Sequence, residues 1–184
     1  VAEGREHQPL DTRSVHLLED LLSGHSPFKE FERAVALEDV DDATREEAAQ
    51  TLADLGDPTT LKALINACND DFWSVRAHAG CGIAKIGGPK AVEALVGLFN
   101  DPIMEVRDQA VEATAKIGPI VLDRLVTAMK DERWRVREHA AKAAGKIKDS
   151  GTVDALIGAC RDRDGAVKSA AAEALGKIAD AKAI

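Results

Sequence analysis

Apolar residues recur along most of this chain at helical spacing, in blocks parted by short polar breaks. Leu61, Leu64, Ile65 and Cys68 form one block, and Val92, Leu95, Val96 and Phe99 another. Residues three and four apart share one face of a helix, so each block predicts an amphipathic helix. A second stripe follows each first one, as in Val75, Ala79, Ile83 and Ile86. Prolines at 27, 58, 89 and 119 stand just before the first stripe, after capping-type residues in Ser26-Pro27 and Asp57-Pro58. A helix tolerates proline at its first position, where no N–H bond is lost. Gly56, Gly87 and Gly118 close the second stripe, as left-handed caps do. The pattern predicts helical hairpins, with an aspartate closing each turn and able to cap the second helix.

The hairpins repeat. Val75-Arg76, Val106-Arg107, Val136-Arg137 and Val167-Lys168 stand at steps of 31, 30 and 31 residues, and Thr44-Arg45 lies a further 31 upstream. Five residues before each landmark is aspartate: Asp39, Asp70, Asp101, Asp131 and Asp162. Four after it is alanine: Ala48, Ala79, Ala110, Ala140 and Ala171. Eleven before it is leucine (Leu64, Leu95, Leu125, Leu156), except for Arg33 in the first copy. A period of this size means stacked structural repeats, each burying its apolar face against its neighbours. Five repeats are expected at 26–56, 57–87, 88–118, 119–148 and 149–179, the one-residue deletion falling at Gly118-Pro119 between units. Residues 1–10 read as a flexible tail, 11–25 as an N-terminal capping helix, and 180–184 as a C-terminal tail. The array then ends uncapped, and self-association or heterodimer formation through that end is the expectation.

The Asp-x4-Val-Arg-x2-Ala-x6-Ile core, seen from Asp101 to Ile117, resembles the HEAT-like repeats of phycobilisome lyases over residues 26–179. The resemblance implies an all-α, right-handed α-solenoid. It also implies a ladder between adjacent repeats, in which Asp70, Asp101, Asp131 and Asp162 alternate with Arg76, Arg107, Arg137 and Lys168. That repeat type serves scaffolds, hydroxylases and lyases alike, so it specifies fold more than function. The deoxyhypusine hydroxylases that share it use several His-Glu pairs; here Glu138-His139 is reversed and His78 precedes Ala79, so no metal site is expected.

Composition narrows the rest. The 184 residues carry a net charge of −8, which argues against nucleic acid, and no apolar run approaches a membrane span. No signal peptide is visible, and the three cysteines show no metal-like spacing. Cys68 and Cys160 share one core position, so a reducing, cytoplasmic setting is expected. No Gly-x-Ser-x-Gly or other catalytic motif appears, and the reading leans away from an enzyme.

Positions two before and two, six and ten after each landmark lie four apart and form one column up each second helix. The columns place Trp73, Met104 and Trp134 side by side on three consecutive repeats, where the outer repeats have Asp42 and Gly165. Three after the landmark stand His78, Gln109 and His139, expected to flank the same trough. These six are the candidate partner-binding residues. Either the indoles fold over the turns as local core, or they form an exposed ridge of the kind that anchors interfaces. Secondary candidates are Cys81, as filler or reactive thiol, and the row Lys85, Lys116 and Lys146. The function expected is a scaffold that binds another protein on its concave face, with no cofactor. The alternative, implied by the resemblance, is an E/F-type phycobilin lyase or chaperone that transiently holds a bilin.

Overall fold

The structure is a computed structural model that describes residue 37 and residues 41–182. The tail, the capping helix, Pro27, Arg33 and Asp39 lie outside the described residues. Within them the chain forms nine helices and no strand. The second helices of the hairpins are α1 (Asp42–Leu55), α3 (Trp73–Ile86), α5 (Met104–Ile117), α7 (Trp134–Ile147) and α9 (Gly165–Lys182). The first helices are α2 (Leu61–Ala67), α4 (Pro89–Leu98), α6 (Leu122–Ala128) and α8 (Val153–Ala159). Each second helix stacks on the next, and the first helices line up behind them, so the architecture is an α-solenoid.

One apolar core runs through every repeat. The landmark valines Val75, Val106, Val136 and Val167 are wholly buried, and the leucines Leu64, Leu95, Leu125 and Leu156 meet them from the other layer. The constant alanines are buried too, which keeps the second helices close. Two glycines bring them closer still. A Cβ on Gly82 would stand 2.8 Å from the Ala53 backbone, and one on Gly145 would stand 2.7 Å from that of Ala174. These contacts join α1 to α3 and α7 to α9. At the middle junctions the corresponding pairs are Ala84 with Ala113 and Ala115 with Ala143.

The punctuation differs from expectation in four details. Pro58 and Pro119 open a single 3-10 turn ahead of the α-helix, as does Ser150, whereas Pro89 starts its helix directly. The turn aspartates do not cap the second helices. Asp70, Asp101, Asp131 and Asp162 each accept the N–H two residues on, at 2.8–2.9 Å, and so close the turn just before the helix. The last helix runs on through Lys182, because no glycine or proline stands after Ile178 to stop it. Gly56 does end its helix in the left-handed conformation, which Lys148 holds in the fourth repeat. Gly87 and Gly118 end theirs at positive φ with extended ψ (−167° and −156°), a region essentially confined to glycine.

Candidate binding face

The turn chemistry above sets where each second helix begins, and it begins at the same slot in repeats two to four. Trp73, Met104 and Trp134 are the first residues of α3, α5 and α7. They are 40%, 58% and 39% exposed, three of the six large exposed hydrophobics among the described residues. The other three, Leu55, Ile120 and Ile157, share no slot with one another. Trp73 leans on Phe72 with ring centroids 6.4 Å apart, and the Arg135 guanidinium lies 4.9 Å over the Trp134 ring. Trp73 also walls a groove of about 800 Å³ along the turn edge, with Phe72, Ile65, Leu98, Ile103 and Arg133.

A second groove of about 560 Å³ lies between α3 and α5. It is lined by Ala84 and Ala113, one of the two glycine-free pairs, and by Cys81, Lys85, Gln109, Glu112 and Lys116. The Cys81 thiol donates to Gln109 Oε1 at 3.8 Å. Burial pushes that thiol's pKa up, against the pull of Lys116 and Lys85, so it is held protonated and the filler reading fits it. Burial likewise pushes Cys68 up to about 12.

The lysine row is largely neutralised. Lys85 reaches Asp54 at 3.1 Å and Lys146 reaches Glu112 at 2.6 Å, each a carboxylate of the preceding repeat. Lys116 makes no ion pair among the described residues.

The two histidines part company. His78 is half-buried, and the Ser74 hydroxyl stands 3.4 Å from its Nδ1 while donating to Glu46 of α1. Ser74 is itself buried and gives its proton to a carboxylate, so the trio is a packing contact between α1 and α3. His139 does not flank the trough. It is 2% exposed, its Nδ1 lies 2.7 Å from the Arg135 carbonyl, and its ring is 6.3 Å from that of Phe99. Phe99 fills the core slot that Cys68, Met129 and Cys160 hold elsewhere, and its larger ring reaches the histidine. Burial lowers the His139 pKa and keeps the ring neutral.

The ladder is present with one rung missing. Arg45, absent from the expected set, binds Asp70 through Nε and Nη2 at 2.8 and 3.0 Å. Arg76 binds Asp101 at 2.6 and 2.9 Å, and Arg137 binds Asp162 at 2.7 and 2.8 Å. Asp131, expected to meet Arg107, is instead held by Arg133 two residues on, at 2.8 and 2.9 Å. Nothing in the repeat pattern marks Arg133, since Phe72, Ile103 and Asp164 occupy its slot elsewhere. Lys168 makes no ion pair among the described residues. Among those residues no group of three His, Cys, Asp or Glu could hold a metal, and no helix is long and apolar enough to cross a membrane.

Comparisons with known proteins agree with this architecture. The phycocyanin lyase complex of CpcE and CpcF from Nostoc sp. PCC7120 superposes with a TM-score of 0.53 at 20% identity. That alignment covers 98% of this chain and 70% of the lyase chain. An archaeal HEAT-like repeats protein from Thermococcus onnurineus NA1 gives the same TM-score at 15% identity, over 95% and 82% of the two chains. At these identities the likeness is one of fold. No curated protein matches. The family model for HEAT repeats matches residues 32–115 and 122–184, and the chain therefore belongs to the HEAT repeat family.

Proposed function

We propose that the protein is a binding scaffold that holds a segment of another protein against the exposed face of its second helices. The observation that carries this is the ridge of Trp73, Met104 and Trp134. Three large apolar side chains are kept at one slot of three successive repeats and left in solvent. Tryptophan and methionine are side chains that dominate binding when a partner covers them. Further along the same two helices, the α3–α5 groove offers hydrogen-bonding capacity through Gln109 and a cation through Lys116. A Trp73→Ala, Trp134→Ala double variant tests the reading. Proteins from the source organism retained by the wild type should be lost by this variant, at a cost upwards of about 2 kcal/mol in affinity, with its thermal melt preserved. Retained affinity, or a melt that collapses, removes the ridge from the account.

What supports the lyase reading is the fold shared with a phycocyanin lyase complex, and under that reading the α3–α5 groove is the candidate space for a bilin. Titration with phycocyanobilin decides it. A red-shifted, saturable absorption band favours that reading, and an unaltered spectrum ends it.

A further inference from the structure

Arg107 is built like the arginines of the closed rungs. Its Nη1 donates to the carbonyls of Asp101 and Pro102 at 2.6 and 3.0 Å. Arg76 binds those of Asp70 and Asp71 at 2.7 and 3.0 Å, and Arg137 those of Asp131 and Glu132 at 2.9 Å each. The carbonyl pair fixes the guanidinium plane, and in the closed rungs Nε and Nη2 then grip the next repeat's aspartate. In Arg107 the Nε is buried and has no hydrogen-bond partner. A buried donor left unmade is costly, more so on a charged group. In the closed rungs that donor meets the next repeat's turn aspartate, as Arg76 meets Asp101 and Arg137 meets Asp162, and the matching residue for Arg107 is Asp131. Asp131 occupies the rung position, closes its turn through the Arg133 N–H, and gives its free lone pairs to the exposed Arg133 side chain.

We propose that Asp131 is a shared carboxylate, held by Arg133 in this structure and by Arg107 when Arg133 is engaged elsewhere. The ladder then carries one switchable rung, at the junction of the third and fourth repeats. The group that would draw Arg133 away is a carboxylate, since a guanidinium fork exchanges one carboxylate for another without loss of geometry. Arg133 immediately precedes Trp134, so an acidic side chain on a partner seated over that indole would close the rung. This last link rests on the ridge being the binding face; the rung itself does not.

Double-mutant cycles on the free protein test the rung, by denaturation of Arg107→Met, Asp131→Asn and the pair, in the wild-type and Arg133→Ala backgrounds. The Arg76–Asp101 cycle is the reference for a closed rung. In the wild type the effects of Arg107→Met and Asp131→Asn should add. Once Arg133 is removed they should couple on the order of tenfold in the folding equilibrium, the size of a charged hydrogen bond. Additivity in the Arg133→Ala background would mean that the shortened link at Gly118-Pro119 keeps the two groups apart, and would overturn the proposal. Coupling already at the reference level in the wild type would overturn it too, because the rung would then be closed from the start. Either failure leaves the ridge untouched, since no partner takes part.

Discussion

His139 shows how far a single position can be read. Its slot, three after the landmark, also holds the exposed Glu47 and Gln109, the half-buried His78 and the buried Ala170. The helical column is visible in the sequence, but the depth of each site depends on what the neighbouring repeat presents, here the Phe99 ring. The burial has a consequence for acid stability. The folded state disfavours the imidazolium, so its pKa lies below the ordinary value of about 6.5, which the unfolded chain retains. The unfolded state therefore binds the extra proton first as pH falls below about 6.5, and stability drops through that range. A His139→Phe variant should lose this component, and the difference between the two pH–stability curves should grow from neutrality towards pH 5. Parallel curves would show that His139 protonates freely in the folded state. The same dependence on neighbours hid Arg133, because taking Asp131 from Arg107 needs only one long side chain at a slot that is otherwise silent.

Among the elements, the second helices explain why the grooves lie where they do. Gly82 and Gly145 let α1 approach α3 and α7 approach α9, whereas Ala84 and Ala113 line the groove between α3 and α5. Both glycines were legible as letters, but not as contacts, since they fall at different slots of the repeat and meet only across a junction. Gly82→Ala should destabilise the protein by about 1–3 kcal/mol, because the new methyl meets backbone that cannot turn aside. Gly97→Ala, in α4 with nothing within 4 Å of the added carbon, should stabilise by roughly 0.5–1 kcal/mol. Chemical denaturation of both variants checks the pair. A neutral Gly82→Ala would mean that the two helices can separate without loss. Hairpin boundaries read well from the sequence because glycine and proline act locally. The exception is the end of α9, where no glycine or proline follows Ile178 and the helix continues to Lys182.

At the scale of the whole molecule, the period of 30 or 31 residues determined the architecture, because each landmark recurs with its own aspartate, alanine and leucine. The face that binds is a different matter. Repetition makes the slots equivalent, and function enters where the equivalence is broken, as at Trp73, Met104 and Trp134. The most direct test is photo-crosslinking in cells of the source organism, with a benzophenone side chain placed at Met104 or, on the first-helix layer, at Ile157. Both sites are exposed, so both variants should fold. The account predicts a discrete crosslinked partner from position 104 that is absent from position 157 and is lost when Trp73 and Trp134 are alanine. A partner captured from 157 but not from 104 would place binding on the opposite layer and contradict it.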